Sequence, residues 1–292
     1  MERFIFLTFD GVSRGVIYAA FALALVLIWR AARVVNFAQG AMAVVTAYAA
    51  YTISDNVGSY LLGFAIALVF GLALGAVVER GLMRFVGHAN PLNDVIIALG
   101  LALFLTAVIG IIFGGEYKAA NHPFHTSAIE VGGVPLMTQY DLFIWGAVAT
   151  VVVGLALLFT RTAVGLRMRA AAFAPEVSRL LGVSVGRMLT LGWALAAAVG
   201  ALAGILIIPT ELGLNPHAMD IAFASAFTGA VVGGLDSPVG SVVGGIMVGL
   251  VLSYVSGYIA PSVTPIAVLV VLLAVLLVRP GGIFSGVRAR AV

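Results

Sequence analysis

The sequence predicts an all-α polytopic integral membrane protein, with about eight or nine transmembrane helices, some of them broken, and one short helix outside the lipid. Three observations carry that prediction. First, 62% of the 292 residues are hydrophobic and only 9% charged, with a mean hydropathy of +1.17. A soluble domain carries about 25% charged residues, so this chain has too few to cover a surface in water. Second, apolar runs recur at the length of about 20 residues that crosses a hydrocarbon core of about 30 Å as a helix. Third, the basic residues gather on alternate connections between those runs.

Taken in order, the first run covers about 11–29. The segment before it, "MERFIFLTFDGVSRG", carries Glu2 and Asp10 and is followed by no A-x-A-like site, so the run reads as a permanent span and not a cleaved signal. Further spans are expected at about 38–54, 59–78 and 94–113. The loop at about 114–140 contains "SAIEVGGVPL", whose apolar alternation around Gly-Gly predicts a small hairpin. A span at about 141–159 leads into a second long loop, about 160–188. There "APEVSRLLG" has Pro175 early, Glu176 in the first turn and Gly182 as a stop, predicting a short amphipathic helix over 173–182. Spans at about 189–208, 219–235, 238–259 and 263–278 complete the set, with "GGLDSPVGS" expected to join two short or broken helices. The whole chain, 1–292, reads as one transmembrane domain.

Placing the 160–188 loop in the cytoplasm leaves only Arg3, Arg14 and Lys118 of the 15 basic residues outside. This positive-inside bias implies an outside N-terminus, an inside C-terminus and an odd number of spans. In such a chain the net charge of +3 speaks of topology and not of nucleic-acid affinity.

Several chemistries are excluded or poorly supported. A phosphate-cradling loop needs G-x-x-x-x-G-K-[ST], but the single lysine, Lys118, precedes Ala119. If ATP drives the protein, another subunit binds it. With no cysteine there is no thiolate metal site. "HPFH" at 122–125 has Pro123 between its imidazoles and reads as a polar loop. No G-x-S-x-G occurs, and Asp94, Asp220 and Asp236 fall at span ends, where solvation or capping explains them. Small-xxx-small pairs such as Gly71/Gly75, Gly200/Gly204, Gly229/Gly233 and Gly245/Gly249 predict close helix packing.

Polar groups at membrane depth are costly, of order 2–7 kcal/mol for an unpartnered amide or hydroxyl, so they need a reason. The candidates are Asn36, Gln39 and Thr46, then Ser225 and Thr228. "ARVVNFAQGAM" (32–42) concentrates them: Arg33, Asn36, Phe37, Gln39 and Gly40 sit between two oily runs. Two roles stay open for the amides, lining an inner exit or satisfying exposed backbone.

At these residues the chain resembles the Liv-type permeases of branched-chain amino-acid ABC importers. Those carry Asn-Phe-Ala-x-Gly followed by Gly/Ala-Tyr, matched by Asn36, Phe37, Ala38, Gly40, Ala47 and Tyr48. The loop "RTAVGLRMRAAAFAPEVSRLLGVSVGRM" is similar to the stretch holding the family's ATPase-coupling helix, at Thr162, Gly165, Arg169, Ala170, Glu176, Leu180, Gly182 and Val183. "AFTGAVVGGLDSPVGSVVGGIMVG" and "LVRPGGIFSG" resemble the late Gly-rich region and the C-terminal ending. Two departures stand out: Gln39-Gly40-Ala41 where many members have His-Gly-Glu or His-Gly-Asp, and Ala174 where many have Asn or Asp before the proline.

The resemblance implies a non-catalytic permease subunit in a bacterial inner membrane, importing branched-chain or related amino acids. Its implied partners are a second, related permease, two ATP-binding-cassette subunits that hold ATP and Mg, and an extracytoplasmic amino-acid-binding protein. No cofactor is implied on the chain itself. Asn36, Phe37, Gln39, Gly40, Ser225 and Thr228 are then expected at the pathway or gate. Pro175, Glu176, Arg179, Leu180, Leu181, Gly182 and Val183 are expected to couple to the ATPase. The alternatives are an ABC permease for a sugar, urea or an amide, and an ion-coupled secondary transporter.

Overall fold

The computed structural model describes residues 2–86, 91–119, 123–124, 128–131, 134–210 and 213–284. Eleven α-helices run through them: α1 (Glu2–Ala32), α2 (Gln39–Val57), α3 (Tyr60–Gly81), α4 (Pro91–Phe113), α5 (Gln139–Arg161), α6 (Ala163–Phe173), α7 (Pro175–Leu180), α8 (Val185–Ile207), α9 (Asp220–Gly233), α10 (Pro238–Tyr258) and α11 (Thr264–Val278). One hairpin, β1 (Ile129–Val131) and β2 (Val134–Met137), pairs antiparallel with Val131 opposite Val134, as the alternation around the glycines predicted.

Among the described residues, seven helices are long and apolar enough to cross a membrane. The two predicted spans that fall short do so for different reasons. α9 has 14 residues, about 21 Å of helix, against a core of about 30 Å. α2 has 19 residues but carries Gln39, Thr46, Thr52, Ser54, Asp55 and Asn56. α2 is nonetheless packed inside the bundle, against α3, α8 and α4. The "GGLDSPVGS" junction separates the short α9 from an unbroken α10 of 21 residues.

α1 and α8 form the centre. In each, 83% of the most apolar stretch is buried, against 11% in α4, 17% in α5 and 6% in the α11 segment, which form the periphery. Glycine makes the central contacts possible. A Cβ on Gly249 or Gly245 of α10 would overlap the α1 backbone at Gly15 and Ala19, and one on Gly75 of α3 would overlap Trp193 of α8. In lipid, where no hydrophobic force drives helices together, such approach supplies the van der Waals contact that does.

Helix ends follow local rules. Thr138 and Asp141 form a reciprocal capping box on α5. Ser59, Thr162 and Ser237 accept backbone N–H groups at the starts of α3, α6 and α10. The C-terminal "RPGGIF" folds back on α9, where Ile283 N donates to Val232 O at 2.8 Å and Phe284 N to Gly233 O at 3.3 Å, satisfying carbonyls that the helix end leaves open.

Three expectations need correction. The first helix begins at Glu2, well before residue 11, and its N-terminal end is latched to α10 by Ser253, whose hydroxyl lies 2.8 Å from Asp10. The loop helix expected over 173–182 is six residues long, Pro175–Leu180, and follows a separate helix, α6, that the sequence reading left as loop. The break at Ala174 (φ −140°, ψ 76°) reflects the proline after it, which disfavours helical backbone in the preceding residue. Asp94 does sit at a span end, in the first turn of α4, but it is buried, 2% exposed, so solvation is not its reason.

Candidate gate and coupling surface

The α1–α2 turn is built around Asn36. Its Oδ1 accepts the Ala38 N–H at 3.0 Å, and the Gln39 N–H donates to Asn36 O at 3.1 Å. Ala38, in the N-cap position of α2, offers no side-chain acceptor, and Asn36 supplies one from two residues upstream. Asn36 Nδ2 then donates to Gln39 Oε1 at 2.9 Å, and Gln39 Nε2 donates to Ala196 O in α8 at 2.9 Å. Both side chains are 0% exposed. The two amides thus form a relay that pins the start of α2 to the middle of α8. Gly200, one turn along α8, leaves the room; a Cβ there would overlap the Gln39 amide.

Of the other predicted gate residues, Phe37 packs against Phe223 and Phe227 of α9 with ring centroids 6.1 and 6.2 Å apart. Gly40 faces Phe223, which a Cβ added there would meet at ordinary contact distance. Ser225 and Thr228 are fully buried, and their hydroxyls donate to Ile221 O and Ala224 O of their own helix at 2.8 and 2.9 Å. Thr46 does the same with Ala43 O. Asn36, Phe37, Gln39 and Gly40 therefore share one junction with α8 and α9, while Ser225 and Thr228 direct their polar atoms into α9 itself.

Arg33, beside this junction, has φ 59°, the left-handed region that a residue with a Cβ rarely adopts. It is held there by an ion pair to Asp236 in the α9–α10 turn, and Trp29 Nε1 donates to the same carboxylate oxygen. "His-Pro-Phe-His" cannot be placed, since His122 and His125 lie outside the described residues.

The predicted coupling residues come together at the same end of the bundle. Pro175 opens α7 and Gly182 closes it at φ 81°. The Val183 N–H donates to Ser178 O and the Gly182 N–H to Arg179 O, the paired bonds of a Schellman ending. Ser178 is the buried face of α7. Val177, Leu180 and Leu181 point the other way and are 55%, 88% and 78% exposed, flanked by exposed Glu176 and Arg179.

Sequence reasoning missed the polar centre next to that helix. Glu79, at the end of α3, is 3% exposed. Arg84 donates to both its oxygens, at 3.2 Å to Oε1 and 2.9 Å to Oε2, and Thr190 of α8 donates to Oε2 at 2.6 Å. Arg84 also donates to Gly186 O, in the first turn of α8. The only signal in the sequence was an acid at a span end with an arginine five residues on; Thr190 gave none. At the opposite end of the bundle a cavity of 490 Å³ opens between α2, α3 and α8, where Tyr51, Ser54, Asp55 and Tyr60 face an apolar wall that includes Phe64 and Ile205.

Comparison with known proteins decides the family. The family described as the permease component of branched-chain amino acid transport systems matches residues 7–279. The chain belongs to it. Similar family proteins include the high-affinity branched-chain amino acid transport system permease LivH of Salmonella typhimurium, 28% identical over 221 residues and 72% of each chain. BraD of Pseudomonas aeruginosa, carrying the same description, is 27% identical over 222 residues and 71% of each chain. A fructose import permease, FruF of Bifidobacterium longum, is 31% identical over 172 residues, 56% of this chain and 44% of that one. Among solved structures, PsaBC from Streptococcus pneumoniae in complex with Fab matches with a TM-score of 0.52 over 94% of this permease and 91% of that chain, at 15% identity; it is similar in fold. The permease is thus a multi-pass membrane protein of an ABC transport family.

Proposed function

We propose that this permease carries branched-chain or related amino acids through the inner membrane as the membrane subunit of an ATP-driven importer. The family match across residues 7–279 is the observation that carries this reading. In it the hairpin end, with the cavity at Tyr51 and Asp55, faces an external binding protein. The α7 end faces the cytoplasm, where two ATPase subunits hold ATP and Mg. A second, related permease completes the membrane unit. The exposed Val177, Leu180 and Leu181 seat in a groove on the ATPase, and Glu176 and Arg179 form its charged rim.

The amide relay gives the gate a physical form. In this reading the Gln39–Ala196 bond makes the inner end of α2 and the middle of α8 move as one. Gln39→Leu, which leaves the Ala196 carbonyl without that donor, is expected to lower uptake about five- to tenfold at unchanged membrane level, the effect of losing about 1–1.4 kcal/mol. Uptake equal to wild type, at equal expression, assigns Gln39 to packing alone.

The function itself is tested in proteoliposomes holding the permease with its ATPases and binding protein. Labelled leucine should accumulate with ATP and not with an imposed ion gradient alone. Accumulation driven by the gradient refutes the ABC reading. The fructose permease relative favours a second cargo strongly enough to include labelled fructose in the same assay; fructose uptake without leucine uptake would replace the cargo and keep the mechanism.

A further inference from the structure

A second cavity, of 520 Å³, lies at the α7 end between α1, α5, α6 and α8. Three guanidinium groups line it, Arg30 in the last turn of α1, Arg33 after it and Arg169 in α6. Among the described residues the one carboxylate lining it is Asp236. That carboxylate is already engaged by Arg33 and Trp29. Arg30 is half-buried, and neither it nor Arg169 has a hydrogen bond or ion pair among the described residues. Beneath the charges the walls turn apolar, with Leu27, Phe159 and Leu195. The α5 side of the cavity belongs to the periphery of the bundle, where 17% of the α5 apolar stretch is buried.

Asp236 attracts Arg30 across the cavity, but it is one carboxylate against three guanidiniums, and a half-buried cation beside two others gains from a further anion. The cavity offers two guanidiniums without a hydrogen bond at one end of the spans and apolar side chains beside them. That order, charge above and oil beneath, is the order of a phospholipid. We infer that the cavity binds the phosphate headgroup of an anionic phospholipid, with Arg30 and Arg169 on the phosphate and the acyl chains along α5. Guanidinium suits this task because its planar donors match phosphate oxygens. The site needs only that these helices span a bilayer, so its failure leaves the transport reading standing.

The test uses the intact permease in detergent, titrated with phosphatidylglycerol or phosphatidylcholine and followed by native mass spectrometry. Wild type should retain one phosphatidylglycerol in preference to phosphatidylcholine. The double variant Arg30→Gln with Arg169→Gln should weaken that retention about tenfold or more. Arg169→Gln alone, on an exposed residue of α6, should weaken it by a smaller factor and keeps the test informative should the double variant fail to fold. Arg161→Gln with Arg167→Gln, two exposed arginines outside the cavity, should leave it unchanged. Equal loss in that control pair would mean diffuse attraction and overturn the site. Displacement of the lipid by millimolar inorganic phosphate would identify a free-anion site and overturn the lipid assignment.

Discussion

Arg84→Ala is expected to destabilise the permease by about 3–5 kcal/mol, the range for stripping one partner from a buried ion pair. Glu79→Gln is expected to cost less, about 1–2 kcal/mol. The asymmetry comes from burial. The Glu79 side chain is 4% exposed and Arg84 44%. Removing the arginine strands a buried carboxylate with Thr190 as its remaining donor, whereas removing the acid frees an arginine that can turn toward water. Thr190→Val, which deletes the 2.6 Å bond to Glu79 Oε2, should fall nearest to Glu79→Gln. Thermal unfolding of the three variants in detergent gives the order directly. If Arg84→Ala proved no worse than Glu79→Gln, the account of a buried carboxylate held by its arginine would be wrong. The consequence reaches function, because Arg84 also holds Gly186 at the start of α8, directly after the α7 ending. On the proposed coupling role, the clamp is the fixed frame against which α7 would move.

That clamp also shows where sequence reading stops. Runs of hydropathy located nine of the helices, because lipid imposes a length and a composition that local sequence must carry. The hairpin was legible from alternation around a glycine pair, and the place of α7, though not its full 173–182 extent, from a proline and a glycine whose backbone demands are local. α6 was not legible, since "AVGLRMRAAAF" is eleven residues with two arginines near its middle and a helix there lies outside any span. Glu79 and Thr190 are 111 positions apart, and nothing in either neighbourhood names the other. Asn36 and Gln39 were found as misplaced amides, but their partner, the Ala196 carbonyl, is a backbone atom of an alanine-rich helix with no sequence mark at all. Ser225 and Thr228 were singled out on polarity, and their bonds to the preceding turn are the ordinary way a hydroxyl satisfies itself inside a helix.

The second large effect is expected at α7. Leu180→Asp with Leu181→Asp should abolish ATP-driven uptake, by tenfold at the least, and leave folding untouched. Both statements follow from exposure. At 88% and 78% exposed, these leucines contribute little to the stability of the subunit, so charging them costs the fold almost nothing. An interface that buries two leucines loses their transfer free energy, about 1.5–3 kcal/mol for each side chain, and must also desolvate two carboxylates. Co-purification of the ATPase with the variant should fall with uptake, while the unfolding midpoint of the isolated permease stays at the wild-type value. Gly182→Val probes the same element through its backbone. A β-branched residue is disfavoured at φ 81°, so α7 should lose its Schellman ending while both leucines remain. If α7 transmits force as a rigid unit, the glycine variant keeps ATPase binding and loses the stimulation of uptake by ATP. If α7 is only an adhesive patch, the glycine variant transports normally and the leucine variant alone fails. The pair of variants thus separates holding the ATPase from being moved by it.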